Sequence, residues 1–300
     1  MRQPLQRPYL ALFLLLAIGA LMGLTSNLVK LAGQQGWQPL AFLLWSLLGG
    51  GLALLVLVRL RGERTGMTPP LLRYYLIAGL ISIALPNGLL FASISHVGAG
   101  FASMCLAFPP LFTYLMALAL RMEPLSRIRL LGIGIGLVGS VLLALGKLQD
   151  GDAPRLWVLA ALSIPLFLAM GNIYRSRYWP SGASPLSLAP GMLLGGALLL
   201  LPVGLLGADL APQLGSQAAV LLLLVQMALF AIVYALFFVL QKLAGAVFLS
   251  QIGSVAAVLG AAMAIGLLGE QGSLSMLLAG LCIVSGVLLV AWRGAQEKAQ

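Results

Sequence analysis

Charge is what this 300-residue sequence has least of. Only 8% of its positions are Asp, Glu, Lys or Arg, against about 25% in ordinary soluble domains. It holds seven acids and one histidine, His96. The acids fall at or beyond the ends of apolar stretches, which leaves little material for an acid–base constellation. No Gly-x-x-x-x-Gly-Lys-Ser/Thr or His-Glu-x-x-His run occurs, nor a Gly-x-Ser-x-Gly with plausible partners, so the sequence does not read as an ATPase, a metallopeptidase or a serine hydrolase. Cysteine is equally scarce. Cys105 and Cys282 both lie inside apolar runs, at a spacing that supports neither a disulfide framework nor a zinc site, and no cofactor or metal is expected.

Long polar segments are also missing, and ten mostly apolar runs take their place, at about 9–31, 39–58, 72–94, 99–120, 128–147, 155–174, 188–206, 217–240, 246–268 and 273–292. A bilayer core about 30 Å thick takes roughly 20 apolar residues of helix, because no backbone group there can bond to water. With 61% hydrophobic residues and a mean hydropathy of +1.06, the chain is expected to be an all-α integral membrane protein of ten spans. The first run is followed by Gly33-Gln34-Gln35-Gly36 rather than an Ala-x-Ala cleavage site, so it is read as a retained helix.

The net charge of +10 would suggest nucleic acid in a soluble protein. Here its distribution along the loops gives it another meaning. With alternating spans and a cytoplasmic N-terminus, the cytoplasmic segments hold Arg2, Arg7, Arg59, Arg61, Arg64, Arg73, Arg121, Arg127, Arg129, Arg175, Arg177, Lys242, Arg293 and Lys298, which is 14 of the 17 basic residues. Lys30, Lys147 and Arg155 fall on the other side. Cytoplasmic loops are enriched in Lys and Arg, so both termini are expected in the cytoplasm and the bilayer, not nucleic acid, is the expected partner.

The sequence also repeats itself. Shifted by 147 positions, residues 98–144 fall on 245–291 with 14 identities in 47, where composition alone would give about five. Glu123-Pro124-Leu125-Ser126 and Glu270-Gln271-Gly272-Ser273 recur at equivalent breaks. Each half, 1–148 and 149–300, holds five spans. Since five is odd, the second half enters the membrane from the opposite side, giving inverted repeats related by a pseudo-twofold axis in the membrane plane. Such a pair has two nearly equivalent conformations, one open to each side, so the expected function is secondary transport of a small-molecule substrate by alternating access.

Ser26-Asn27-Leu28-Val29-Lys30 in the first run, Pro110-Leu111-Phe112-Thr113 in the fourth, and Leu120-Arg121-Met122-Glu123-Pro124 with Gly132 to Gly139 carry a family resemblance, as do Leu268-Gly269-Glu270, Gly280 and Gly286 in the second half. The chain resembles the drug/metabolite transporter superfamily, in the branch with paired EamA domains, over nearly its whole length. The resemblance implies export of amino acids and related metabolites, or movement of lipophilic cations, and structural roles for Glu123 and Glu270. The chain departs from the family at two places. Leu24-Thr25 stands where many members have Trp-Gly. Trp45 stands where several have Arg, replacing an anion anchor with an aromatic wall.

Polar residues inside spans are costly and mark candidate pathway positions. Ser103, Pro110 and Tyr114 share one face of the fourth span, and Ser250 and Ser254 share one face of the ninth. Ser103 pairs with Ser250, and Asn87 with Tyr234, under the 147 shift. With Asn27, Trp45 and Gln251 these form the expected substrate pathway, the alternative being helix–helix packing by small and hydroxylated side chains. Lys30 and Arg177, also equivalent under the shift, together with His96 and Asn172, are expected at the mouths. There the cations either attract an anionic group or snorkel to the interface. No carboxylate sits at membrane depth, so coupling through a buried carboxylate is not expected; facilitated export down a gradient, or coupling through His96 or the substrate's own charge, fits better. The expected cargo is an amino acid with an aromatic or other uncharged side chain; efflux of lipophilic cations is the alternative, and a receptor or scaffold is disfavoured because the longest break between spans is only about 14 residues.

Overall fold

The computed structural model describes residues 6–149 and 154–297, and among these it is helical with no strand. The first half comprises α1 (Gln6–Gln34), α2 (Pro39–Leu60), α3 (Pro69–Gly79), a π-helical turn (Leu80–Ala84), α4 (Leu85–Val97), α5 (Ala99–Cys105), α6 (Pro109–Ala119) and α7 (Arg127–Gln149). The second comprises α8 (Arg155–Arg177), α9 (Pro185–Leu205), α10 (Gln217–Ser250), α11 (Ile252–Leu268) and α12 (Leu274–Glu297). α3 to α4 form one span and α5 to α6 another, while α10 holds the eighth span and the start of the ninth. Seven stretches are individually long and apolar enough to cross a bilayer, and the ten spans form two inverted five-span halves.

Several spans begin before their apolar runs do. Pro69 and Pro185 open α3 and α9, as Pro39 and Pro109 open α2 and α6. A first-turn proline has its φ preset for helix and needs no N–H there, so the helix starts at the proline rather than at the first apolar residue. Prolines also interrupt spans. Pro109 and Pro110 cannot donate to the carbonyls of Cys105 and Leu106, and α5 ends at Cys105. Pro86 likewise cannot donate to Ser82, which lies in the π-helical turn just before it.

The two halves break at matching places. Gly98, between the third and fourth spans, has φ 85° and ψ 156°; Gly245, inside α10, has φ 81° and ψ 178°. This region is essentially closed to residues with a Cβ, and the two glycines are 147 positions apart in sequence.

Helices on the axis pack against their own counterparts. A Cβ on Gly139 in α7 would lie 2.9 Å from the Ala279 carbonyl oxygen and 2.9 Å from Ile283 Cγ1. A Cβ on Gly286 in α12 would collide with the Gly132 carbonyl and lie 2.8 Å from the Gly136 nitrogen. Gly139 with Gly286, Gly132 with Ala279, and Gly136 with Ile283 are all related by the 147 shift, so the contact is isologous. The same holds where a Cβ on Gly253 would run into the carbonyl of Leu106, its own counterpart. Off the axis, α1 packs on α11 and α10, while α8 packs on α6 and α4. Cys105 is buried, and both cysteines are unpaired.

Gly286→Ala is expected to lower the melting temperature in detergent, because forced overpacking costs about 1–3 kcal/mol. Gly33→Ala, with no atom within 4 Å of the new methyl, serves as the neutral control. Tryptophan fluorescence during heating reads both.

Candidate functional site

A vestibule of about 610 Å³ opens at the end of the bundle that holds Lys30, lined by Lys30, Gln34, Trp37 and Ser95 and reaching down to Phe42 and Phe91. Below it aromatic rings continue through the protein. Phe42 meets Phe91 at 6.1 Å between centroids, Phe91 meets Phe230 at 6.3 Å, Phe230 meets Tyr234 at 5.6 Å and Tyr234 meets Phe237 at 5.9 Å. From there Phe238 and Trp179 carry the column toward the opposite end. α2, α4 and α10 supply most of these rings.

Halfway along this column the axis passes between a polar pair. Asn87 Nδ2 donates to the Tyr234 hydroxyl at 3.2 Å and to the Ile83 carbonyl at 2.9 Å, with all three residues buried. Asn87 and Tyr234 are counterparts under the 147 shift, so the structure brings a symmetry-related pair into direct contact.

At the Lys30 end, Lys30 Nζ donates to Glu270 Oε1 at 2.7 Å. The same carboxylate accepts from the amides of Ala99 (2.7 Å) and Gly100 (2.8 Å), which follow Gly98. Glu270 thus joins α1, the break before α12 and the start of α5. Burial pushes its carboxyl up, but Lys30 and the two amides outweigh burial and hold it below its usual value. His96 is exposed and stacks on Trp157 at 4.3 Å.

At the opposite end Arg175 is fully buried in the last turns of α8. Its Nε donates to Gln241 Oε1 at 2.8 Å, its Nη2 to Asn172 Oδ1 at 2.7 Å, and its Cζ lies 4.8 Å from the Phe237 ring centroid. Gln241 Nε2 in turn donates to the Asn172 carbonyl and to Ser176 Oγ. Asn172 Nδ2 also reaches Thr113 Oγ1 at 3.4 Å. Arg177, the counterpart of Lys30, is exposed and takes no part in an ion pair among the described residues.

The remaining candidates lie at packing contacts. Asn27 Nδ2 bridges the carbonyls of Gly23 and Gly260, both at 3.1 Å, across the α1–α11 contact. Trp45 Nε1 donates to the Leu210 carbonyl at 3.0 Å. Tyr114 donates to the Pro124 carbonyl, accepts from the Ser126 amide, and lies under the buried Arg129, which pairs with Glu123 at 3.2 Å. Pro110 lies in the first turn of α6. Ser250 Oγ donates to Val247, four residues on the near side of Ser254 and beside Gln251. Among the described residues Ser103 Oγ, Gln251 Nε2 and Ser254 Oγ have no protein partner; groups of this kind take up water or solute.

Two cations assigned to loops by the positive-inside reading, Arg129 and Arg175, are buried in the bundle. Arg175 and Gln241 are not among the candidates that sequence spacing offers. Asn172-x-x-Arg175 puts both side chains on one helix face, a signal masked by Arg177 two residues on.

Glu270→Gln is expected to lower the melting temperature, since it leaves Lys30 without its counter-charge. A lowered carboxyl value means this stabilisation is complete above the usual 4.5 and is lost as the pH falls through the folded value. The difference in melting temperature between wild type and variant should therefore shrink toward zero in acid.

Residues 9–145 match the EamA-like transporter family. The chain is 30% identical over 165 residues to the uncharacterized inner membrane transporter YedA of Escherichia coli (strain K12), covering 54% of this chain and 52% of YedA; the YedA proteins of strains O6:H1 and O157:H7 match equally. The chain thus spans about half the length of these relatives. A solved crystal structure superposes with a TM-score of 0.68 at 18% identity, over 94% of this chain and 98% of the other, which establishes a shared fold. The family likeness thus lies in the first half of the chain, where residues 9–145 carry an EamA-like domain.

Proposed function

We propose that this protein is a secondary transporter that exports small amphipathic metabolites, foremost amino acids with aromatic or other uncharged side chains, by alternating access across the bacterial inner membrane. The observation that carries the reading is the Asn87–Tyr234 hydrogen bond. It lies on the axis relating the halves, below an open vestibule, at the place where an alternating-access carrier holds its substrate. The flanking rings suit an apolar side chain, and the amide and hydroxyl suit polar groups. The halves 1–148 and 149–300 act as inverted EamA-like units, with Gly98 and Gly245 as equivalent bends, and both termini face the cytoplasm. The pathway residues are Asn87 and Tyr234, with Ser103, Ser250, Gln251 and Ser254 along the broken spans; Lys30, His96, Asn172 and Arg177 lie toward the mouths.

Aromatic lining also suits lipophilic cations. The buried charge of Arg175 beside Phe237 repels them, which favours the amphipathic metabolites.

Liposome counterflow against amino acids and cationic dyes tests the assignment. Asn87→Ala and Tyr234→Phe are expected to slow exchange of the accepted amino acid about five- to tenfold, the weight of one buried hydrogen bond. Collapse of the pH gradient with the substrate gradient intact should leave transport running. Uptake of dyes alone, or wild-type rates in both variants, would refute the reading.

A further inference from the structure

The two ends of the aromatic column are built from equivalent elements and differ in state. Each half joins its first helix to its second by a loop beside one mouth: residues 35–38 between α1 and α2, and residues 178–184 between α8 and α9. At the Lys30 end the shorter loop leaves the mouth clear, and Phe91, Ile94 and Ser95 line the open vestibule. Their counterparts under the 147 shift are Phe238, Gln241 and Lys242, at the other mouth. There the longer loop reaches over them. The Trp179 ring meets Phe238 edge-on at 5.8 Å between centroids. Trp179 Nε1 and Lys242 Nζ both donate to the Ala183 carbonyl, at 3.3 and 3.4 Å, and Lys242 Nζ lies 5.9 Å from the Trp179 ring centroid. Positions that form an open mouth in one half are thus covered by an indole in the other.

Three features make this loop the part that moves. Beside it, the fully buried Arg175 ties α8 to α10 through Gln241, and parting those helices would strip a buried guanidinium of its hydrogen bonds. The loop itself is held over the column by weaker contacts: one ring pair, an exposed lysine and two hydrogen bonds to a single carbonyl. Behind the loop there is room. A cavity of about 550 Å³ is walled on one side by residues 180–184 and on the other by Glu63, Arg64 and Leu71. Neither Trp179 nor Phe238 lines it, so the loop is a partition between this cavity and the end of the column. Ser184, whose hydroxyl donates to Glu63 and accepts from the Ser187 amide, anchors the far end of the partition.

We propose that residues 178–184 form a lid over the mouth opposite Lys30, with Trp179 as its plug. The column opens at that end when the lid swings into the cavity behind it, while α8 and α10 stay together. The lid rests on the transport reading and adds to it the element that admits solute at the closed mouth.

Thiol accessibility tests it. Phe237→Cys places a reporter on the column just inside Phe238, and a charged, membrane-impermeant maleimide is applied to inverted and to right-side-out membrane vesicles, with labelling of the wild type subtracted. Arg177→Cys, at an exposed position, marks the face that carries the lid. With the lid intact the reporter should label slowly from that face. Adding Trp179→Ala should speed labelling from that face alone by about tenfold or more, the weight of a ring pair and a hydrogen bond. Lys242→Gln should speed it about two- to fivefold, and Trp179→Phe, which keeps a ring against Phe238, should act less than Trp179→Ala. Should Trp179→Ala fail to fold, Lys242→Gln and Trp179→Phe decide the question. Unchanged labelling, or an equal rise from both faces, overturns the lid. Side-selective labelling in a protein without counterflow of any solute would keep the lid and refute transport, whereas counterflow with unchanged labelling would refute the lid alone.

Discussion

Where the two halves meet, the backbones of counterpart helices come close enough that only residues without a side chain fit. Gly139 and Gly286 lock α7 to α12 reciprocally, and Gly253 lies against the carbonyl of Leu106. In lipid, helices gain little from burying apolar surface against one another, and close backbone approach with its dispersion contacts takes over that role. These contacts hold the symmetry axis. The symmetry axis in turn brings Asn87 of one half against Tyr234 of the other, since two counterpart residues touch only if both lie on it. The position of the polar pair in the aromatic column is thus a consequence of glycine packing elsewhere in the bundle.

The symmetry is broken at the ends, and the breaking is electrostatic. At one end Glu270 reaches across to Lys30 and to the amides that follow Gly98, tying several elements together beside the open vestibule. At the other, the counterpart acid Glu123 stays local with Arg129, and the counterpart cation Arg177 is exposed. Arg175, Asn172 and Gln241 link α8 to α10 there instead. Two inverted halves with different sets of charge contacts at the two mouths can hold two states of unequal energy, and solutes that bind one set of contacts better shift the balance.

The architecture was legible because its causes are local and periodic. Span lengths follow from bilayer thickness, and the 147-residue shift, with its odd number of spans per half, implies the inversion. Asn87 and Tyr234 could be matched before any contact between them was known. Arg175 could not, because a cation two residues from another near a span end has the same sequence signature whether it turns outward to the headgroups or inward to a glycine. Its direction is fixed by Asn172 and by Gln241 of α10, which meets it only in three dimensions. Tyr114 shows the same limit: its helix face was legible, but its bonds to Pro124 and Ser126 depend on how the chain folds back after α6. The start of α9 at Pro185, by contrast, was available from proline chemistry and was obscured by reading apolar runs alone.

The scarcity of charge gives Arg175 its weight. With no acid of the described bundle paired to it, its guanidinium is held by the neutral side chains of Gln241 and Asn172, which orient it without cancelling its charge. Separating α8 from α10 at this end would leave a buried cation with neither counter-ion nor hydrogen bonds, so the contact between these two helices is held by the cost of that exposure.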